Sequence, residues 1–565
     1  MIARGRLARQ RELLLWALPL LFLSVFFFYP LYSVLRVGLS GALGGLEQID
    51  LSQVWDPLGF TIWQAILSTL LTLLVGLPAA YLFSHFEFPG KQLLRVLTTI
   101  PFLLPTVVVA AAFNSLLGPN GWINEALMGL FGLSQPPIHF LNTLGAILLA
   151  HVFYNTTIVI RMVGNAWSHL DPRLEQAARV LGAGRGRVLW DVTLPLLRPA
   201  LLAAALLVFI FDFTSFGVVL LLGGPQFATL EVSIYIQALY LLNLPMAGLL
   251  SLVQLLCTLG MTVAYTRWVE GGITPVMPRS QAETARKARK SVEKLIVGLM
   301  VAFLLVLLVS PLAALAMRSV AQLEANRGER GPVQTGLTLD YYRELFINRN
   351  ESWFYVPPID AARNSLIYAG ATVVISLTLG ALAATALTRR STLNRVLDPL
   401  LMLPLGTSAV TLGLGFIVAF NHPPLMLIAS PVLVPLAHSL VALPFVVRSL
   451  QPALAAIPQQ LRSAAAVLGA SPWRVWREVD LPIVMRAVLT SATFAFTISL
   501  GEFGATSFLA RPDYPTLPVA IYRFLSQPGA LNYGQALAMA TLLMIITGAG
   551  IIIIERLRLP GVGEF

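Results

Sequence analysis

The feature that most constrains this chain is a series of apolar stretches, each long enough to cross a lipid bilayer as a helix. A transmembrane helix needs about 20 consecutive, mostly apolar residues. Such stretches lie at residues 13–36, 61–84, 96–117, 142–163, 197–222, 245–266, 295–317, 363–387, 398–420, 426–448, 485–509 and 534–555. Only 12% of the 565 residues are charged, whereas a typical soluble domain has roughly 25%. The sequence therefore predicts an all-α polytopic membrane protein with twelve transmembrane helices.

The basic residues predict how these spans are oriented. The formal net charge is +11, and in membrane proteins Lys and Arg gather in the cytoplasmic loops. With the N-terminus inside, the inside loops are basic, and the outside loops 118–141, 223–244 and 421–425 carry no Lys or Arg. The outside loop 318–362 mixes both signs of charge, but long loops cross the membrane largely regardless of charge. Both termini are predicted to be cytoplasmic.

Two other interpretations of the basic residues are not favoured. No basic stripe is interleaved with aromatic residues, so no nucleic-acid partner is expected. Four arginines precede the first apolar stretch, but no small-residue cleavage site follows a short apolar core. We therefore interpret this stretch as the first membrane span rather than as a signal peptide.

The chain contains an internal repeat. Residues 178–195 (ARVLGAGRGRVLWDVTLP) match residues 465–482 (AAVLGASPWRVWREVDLP) at an offset of 287 positions without a gap. The same offset continues further along the chain and pairs Phe216 with Phe503, Gly217 with Gly504 and Tyr235 with Tyr522. Such a match over the loop and beyond it indicates duplication of a larger unit.

This repeat predicts two fused halves of six helices each. The first half covers residues 1–266, the second covers 295–565, and the polar, basic segment 267–294 joins them on the cytoplasmic side. Because each half has an even number of spans, the two halves have the same orientation and form a parallel repeat.

The repeated segment lies in a long inside loop of each half, at residues 164–196 and 449–484. In the first copy Leu174, Ala177, Ala178 and Leu181 recur at the spacing of one helical face. Gly182 follows and can adopt the left-handed conformation that ends a helix, and Pro195 is expected to start span five. The pattern is typical either of a helix that docks a soluble partner or of an amphipathic helix lying on lipid headgroups.

The order Ala-Ala, then Gly, then Leu-Pro resembles the EAA loop of permease subunits in bacterial ABC importers. In that family the loop forms a coupling helix that fits a groove in the ATPase subunit. The resemblance identifies as coupling residues Gln176, Ala177, Ala178, Gly182, Arg187 and Pro195 in the first copy, and Ser463, Ala464, Ala465, Gly469, Arg474 and Pro482 in the second. Neither copy has the leading Glu of the family at its usual place.

The resemblance also implies partners and a location. It implies two copies of a cytoplasmic ABC ATPase, a periplasmic or lipid-anchored solute-binding protein, and a place in the bacterial inner membrane. The chain itself has no G-x-x-x-x-G-K-[ST] phosphate loop. No metal-ligand spacing or nucleophile–base pair occurs among its six His residues. We therefore expect a transport subunit, not an enzyme, with no catalytic residue, no metal and no cofactor of its own.

Ionisable residues inside a bilayer are costly and are functional candidates. Asp212 and Glu502 lie within spans five and eleven, and Glu502 matches Ser215 in the repeat. One interpretation places Asp212, Ser215 and Glu502 along the substrate pathway, where two acids would favour a cation. In the other, each acid accepts hydrogen bonds from a neighbouring helix and only holds the bundle together.

Two fused halves in one chain resemble the permeases of the thiamine and iron(III) importers. The segments HVFYN (151–155) and SFGVVLLLGGPQFATLEVSIYIQAL (215–239) resemble the thiamine permeases most closely, whereas GEFGAT (501–506) is also similar to molybdate and sulfate permeases. We expect a permease that passes a small cationic solute, thiamine or iron(III), from its binding protein into the cytoplasm. The alternatives are an ABC permease for an anion and an ion-coupled secondary transporter, which also has a 6+6 parallel repeat.

Overall fold

The computed structural model describes residues 2–44, 52–272, 286–323, 336–347, 357–389, 391–423 and 425–557. Within these ranges, ten helical segments are long and apolar enough to cross a membrane. Two further pairs of helices meet the same test but are sharply bent, and counting each pair as one span gives twelve. The predicted all-α polytopic fold is confirmed.

Helices account for nearly all of the described structure. The first half contains α1 Ile2–Leu23, α2 Tyr29–Gly44, α3 Ser52–His85, α4 Lys91–Leu103, α5 Thr106–Leu117, α6 Trp122–Phe131, α7 Leu144–Ser168, α8 Pro172–Val180, α9 Arg185–Val188, α10 Leu194–Phe213, α11 Leu230–Tyr235 and α12 Leu244–Gly272. The second half contains α13 Ser291–Arg318, α14 Asp340–Glu344, α15 Pro358–Leu387, α16 Thr392–Met402, α17 Ala409–Phe420, α18 Leu433–Ala455, α19 Gln459–Val467, α20 Pro472–Val475, α21 Leu481–Gly501, α22 Gly504–Leu509, α23 Leu517–Leu525 and α24 Ala530–Leu557.

Shorter elements join several of these helices. The π-helical turns are Ser24–Phe28, Leu189–Thr193, Val219–Gly223, Ile236–Tyr240 and Trp476–Asp480, and the 3₁₀ turns are Pro225–Phe227 and Leu403–Gly406. Two two-residue strands, β1 Phe86–Glu87 and β2 Arg286–Lys287, pair in parallel. This pairing attaches the end of the predicted linker 267–294 to the first half; residues 273–285 of that linker lie outside the described residues.

The internal repeat is visible in how the helices pack. An added Cβ on Gly76 of α3 would lie 2.6 Å from Cβ of Val159 on α7. In the second half an added Cβ on Gly380 of α15 would lie 2.5 Å from Cγ1 of Val446 on α18. Val159 and Val446 are related by the 287-residue offset, so both halves use the same close helix crossing. Small residues permit such an approach between transmembrane helices.

The first helix of each half packs against the other half. In α1, the Trp16 indole Nε1 donates a hydrogen bond of 2.8 Å to Oδ1 of Asn394 in α16. At the end of α13, the Arg318 guanidinium donates two hydrogen bonds, 2.5 and 2.6 Å long, to the Glu125 carboxylate in α6. Each half therefore contributes its first helix to the packing of the other half.

The span expected at 96–117 is broken, and the expectation of a continuous helix there is wrong. The axes of α4 and of the segment that starts at Thr106 differ by 109°. Pro105 has no N–H to continue the helix, and Leu104 before it is extended, with ψ of 142°. A residue that precedes proline is sterically driven into this conformation.

The equivalent span expected at 398–420 is broken as well, by 97°. Here Ser408 starts the new helix, because its side chain accepts hydrogen bonds from the backbone N–H groups of Val410 and Thr411. Spans five and eleven also deviate from the expected ranges 197–222 and 485–509: α10 ends at Phe213 and α21 ends at Gly501, each a few residues before the repeated Phe-Gly pair. Each of these spans therefore ends in a non-helical junction.

Replacing Gly76 or Gly380 by Ala tests the repeated helix crossing. The added methyl group would overlap Val159 or Val446, and overpacking of this kind costs about 1–3 kcal/mol. We expect both variants to unfold at lower temperature than the unmodified protein in detergent. Gly370→Ala is the matched control, because no atom lies within 4 Å of its added Cβ. Equal melting temperatures for all three variants would contradict the crossing.

Candidate functional site

Two short helices, α8 and α19, occupy equivalent places in the two halves, and none of their residues is buried. Val180 and Leu181 at the end of α8 are each 87% exposed, and Val467 and Leu468 at the end of α19 are exposed to the same extent. Isolated apolar residues on a surface are ordinary, but the same fully exposed apolar pair presented twice indicates a surface for another molecule.

The predicted loop residues lie on these helices or in the turns that follow them. Gln176, Ala177 and Ala178 lie on α8, Ser463, Ala464 and Ala465 on α19, and Arg187 and Arg474 on α9 and α20. Gly182 and Gly469 have φ of +88° and +82° and end the two helices as predicted. Each turn sends the chain back towards the membrane-spanning part of its half.

Equivalent interactions close the two loops. Thr193 donates a hydrogen bond of 3.0 Å to Glu175 in the first half. At the equivalent positions of the second half, Arg462 Nε donates one of 2.8 Å to Asp480. Each link ties the start of the exposed helix to the helical segment that leads into the next span. The geometry of the loop is therefore repeated, although its chemistry is not.

Pro195 does not start span five as expected. The π turn Leu189–Thr193 runs directly into α10, so one helical segment extends from α9 through Pro195. The Leu194 N–H bonds to the carbonyl of Leu189, five residues back. A π turn accommodates the disturbed hydrogen bonding beside a proline. Trp476–Asp480 has the same role before Pro482.

In each half, a buried histidine links the helix before the exposed loop (α7 or α18) to the helix after it (α10 or α21). In the first half, His151 on α7 is 2% exposed. Its Nε2 lies 2.8 Å from Oγ of Ser215, and its Nδ1 lies 3.3 Å from Oδ1 of Asp212. Asn155 donates a hydrogen bond of 2.7 Å to the same Asp212 oxygen. Asp212 and Ser215, both predicted to line the substrate pathway, thus contact one histidine on a different helix.

The second half has a corresponding set. His438 on α18 is 1% exposed. Its Nδ1 lies 2.7 Å from Oγ of Ser499, and its Nε2 lies 2.7 Å from Oγ1 of Thr506 and 3.3 Å from Oε2 of Glu502. Glu502 also caps α22, because its carboxylate accepts hydrogen bonds of 2.7 and 2.9 Å from the N–H groups of Ala505 and Thr506. Glu502 is therefore not paired with Asp212; each acid lies within its own half.

A third buried acid, Glu231 on α11, joins the two halves. Its carboxylate accepts a hydrogen bond of 3.0 Å from Gln254 and one of 2.6 Å from Ser408 of the second half. Ser408 is the residue that caps α17: its hydroxyl donates to Glu231 and accepts from the N–H groups of Val410 and Thr411. Glu231 is thus a link that must break if the halves separate here.

The repeated Phe-Gly pairs meet at the boundary between the halves. The rings of Phe216 and Phe503 are stacked, with centroids 5.5 Å apart and planes 23° apart. Tyr235 packs against Phe216 at 5.2 Å and Tyr522 against Phe503 at 5.5 Å. Equivalent residues of the two halves thus touch one another, and they close the boundary with an aromatic stack.

Gly217 and Gly504 allow this arrangement. A Cβ added to Gly217 would lie 2.2 Å from Oγ1 of Thr106, the first residue of α5, and one added to Gly504 would lie 3.0 Å from Cβ of Ala409, the first residue of α17. The junctions that carry the aromatic stack therefore pack against the breaks in the two bent spans.

Sequence reasoning missed His438 and Glu231, among other residues of this site. His438 lies at the 287-residue offset from His151, so the repeat itself could have identified it. Glu231 lies in a segment expected to be an outside loop, and its repeat equivalent is Pro518, so no pattern marked it.

Comparison with known proteins identifies a matching family model and several relatives of this chain. A family model described as "Binding-protein-dependent transport system inner membrane component" matches residues 72–325 and 376–558. The chain is 28% identical, over 93% of its length and 92% of the relative, to the "Thiamine transport system permease protein ThiP" of Brucella abortus. It is 29% identical, over 94% of both chains, to the "Probable ABC transporter permease protein y4fN" of Sinorhizobium fredii. A shorter relative matches 45% of this chain over 90% of its own length, at 32% identity: the "Putative 2-aminoethylphosphonate transport system permease protein PhnU" of Salmonella paratyphi A.

Removing the aromatic stack should open the boundary between the halves. We expect Phe216→Ala/Phe503→Ala to make proteoliposomes leak small solutes at least about ten times faster, without ATP, because two large rings no longer fill the boundary. Phe303→Ala, at a Phe that is 47% exposed on α13, should leave the leak unchanged. Measuring efflux of a small trapped dye decides between them, and a double variant that does not leak would show that the stack is not the seal.

Proposed function

The chain belongs to the family of binding-protein-dependent transport system inner membrane components, and we propose that it is the permease through which an ATP-driven importer passes thiamine. It is a fused, two-half ABC importer permease, and therefore a multi-pass transport subunit rather than an enzyme. The name of the Brucella relative supports thiamine as the solute, because that relative matches both halves of this chain.

The observation that carries the ATP-driven mechanism is the exposed Val–Leu pair at the end of each loop helix. In this proposal Val180 and Leu181 insert into one copy of a cytoplasmic ABC ATPase, and Val467 and Leu468 insert into a second copy. Arg187 lies on α9 and Arg474 on α20, directly after the loop helices. Each forms an ion pair with the acid four residues later, Asp191 or Glu478. Closure of the two ATPase copies on ATP would move both loops together.

Solute would reach the permease from a periplasmic or lipid-anchored binding protein on the opposite face. The distribution of basic residues supports this orientation, with both termini and both loop helices on the cytoplasmic side of the inner membrane. In such a system the binding protein supplies most of the selectivity, and the permease supplies the passage and its gate.

We propose that the passage follows the boundary between the halves. Its opening would separate Phe216 from Phe503 and break the bond between Glu231 and Ser408. Asp212, Ser215 and Glu502 lie directly beside this boundary, because Ser215 and Glu502 immediately precede the stacked rings. Two acids beside the passage would favour a cation such as thiamine over an anion.

Uptake by the reconstituted complex tests the proposed function. The permease would be purified with the ATPase and the binding protein encoded beside its gene, and placed in liposomes. We expect ATP-dependent accumulation of labelled thiamine, and no competition by iron(III) or 2-aminoethylphosphonate in excess. Preferred uptake of either competitor would contradict thiamine as the solute. Uptake driven by an ion gradient without the ATPase would contradict the ATP-driven mechanism and favour a secondary transporter.

Truncating the exposed leucines tests the docking role. We expect Leu181→Ala/Leu468→Ala to lower coupled uptake at least about ten-fold and to reduce co-purification of the ATPase, because the apolar contact of each loop is lost. Leu299→Ala, at a leucine that is 62% exposed on α13, is the control and should retain both. If the double variant still binds the ATPase and transports normally, the helices serve only as interfacial helices on lipid.

Neutralising the two acids tests the charge of the pathway. Asp212→Asn/Glu502→Gln keeps side chains of similar size that can still hydrogen-bond, but it removes both carboxyl groups. We expect thiamine uptake to fall at least about ten-fold while the ATPase still binds. Undiminished uptake would show that the charge of these residues does not favour the cation.

A further inference from the structure

The histidine sets of the two halves use the same three sequence positions, but two of the residue types are exchanged. The repeat relates His151 to His438, Asp212 to Ser499, and Ser215 to Glu502. Each half thus has one histidine, one acid and one serine at the same three positions. The acid and the serine, however, have changed places between the halves.

The histidine rings nevertheless keep the same orientation. Nδ1 faces the earlier position in both halves, at 3.3 Å from Asp212 and 2.7 Å from Ser499. Nε2 faces the later position in both, at 2.8 Å from Ser215 and 3.3 Å from Glu502, and in the second half it also lies 2.7 Å from Oγ1 of Thr506. The helix-to-helix link is therefore the same whichever side of the ring the acid occupies.

This equivalence indicates what each set requires. A buried acid in a membrane-spanning bundle is costly, and a serine could occupy the same position beside the ring without that cost. Each half nevertheless has one acid, and the two halves place it on opposite sides of the imidazole. Both sets thus place one acid and at least one hydroxyl around the ring, but the acid does not occupy the same position in the two halves.

The location of the link connects it to the loops and the gate. In each half the histidine helix (α7 or α18) enters the exposed loop, and the partner helix (α10 or α21) leaves it. The link lies at the opposite end of this helical hairpin from the loop, about 30 Å away for a 20-residue helix. The later partner of each ring, Ser215 or Glu502, directly precedes Phe216 or Phe503.

We propose that His151 with Asp212 and Ser215, and His438 with Ser499 and Glu502, are positioning sets that make each hairpin move as one rigid unit from the exposed loop to the aromatic stack. Without the link, movement of a loop would be absorbed by sliding of the two helices, and the stack would stay closed. This inference rests on the ATP-driven mechanism proposed above, but it does not depend on which solute is carried.

Exchanging the acid within one half tests the proposal. Asp212→Ser removes the acid of the first half, and Asp212→Ser/Ser215→Glu gives the first half the order found in the second. A reporter cysteine at Val219, which is buried in the same cluster as Phe216 and Phe503, is introduced together with Cys257→Ser. The measurement is thiol labelling of this cysteine in the complex with its ATPase, with and without ATP.

We expect ATP to increase labelling in the parent protein, to change it at least about ten-fold less in Asp212→Ser, and to restore it to within about three-fold of the parent in the exchanged variant. A purely structural acid would not be restored by a shifted carboxylate. Full ATP response in Asp212→Ser, or no recovery in a folded exchanged variant, would overturn the proposal.

The second half provides an independent version of the test, should either first-half variant fail to fold. Glu502→Ser should suppress the ATP response and Glu502→Ser/Ser499→Asp should recover it, with recovery limited by the lost cap on α22. The absence of any recovery in this half too would overturn the proposal. Thiamine uptake is scored separately: its absence in the parent would contradict the proposed solute and leave the labelling result valid.

Discussion

The structure depends on one constraint: inside a bilayer, a polar group must find its partner within the protein. Three buried carboxylates satisfy it in three places that matter mechanically. Asp212 and Glu502 join the two helices of a hairpin, whereas Glu231 joins the two halves through Ser408. Because an unpaired acid would be costly there, each link favours one arrangement of the helices. The same links are therefore the ones that movement must either preserve or break.

Duplication explains why the histidine–acid links occur once in each half. The halves are nevertheless not identical, because backbone features are conserved between them better than side-chain contacts. Backbone features are repeated closely, including the glycines that end α8 and α19 and the glycine–valine crossings. Side-chain chemistry is repeated more loosely: Glu175–Thr193 in one loop corresponds to Arg462–Asp480 in the other. Each half also packs its first helix on its neighbour. Two halves of this kind can move together without presenting identical surfaces.

Much of the fold follows from the sequence alone. Apolar length predicted the spans, the 287-residue offset predicted the duplication, and the position of Gly182 predicted the end of a helix with positive φ. Apolar length could not predict the breaks at Pro105 and Ser408, because a broken span is as apolar as a continuous one. Pairings such as Glu231 with Ser408 join residues 177 positions apart, and helical periodicity contains no information about such partners. The repeat predicted the two exposed loop helices and would also have identified His438, whereas nothing in the sequence marked Glu231, whose repeat equivalent is Pro518.

The central claim is that the two exposed helices are held by separate copies of an ATPase and transmit its motion to the aromatic stack. A structure of the permease bound to its ATPase, determined in a lipid bilayer with and without ATP, tests this most directly. The account predicts that Val180–Leu181 and Val467–Leu468 are each buried in a different ATPase copy, and that Phe216 and Phe503 separate when the two copies close. Loop helices lying on lipid headgroups with no ATPase contact, or a stack unchanged between the two states, would contradict it.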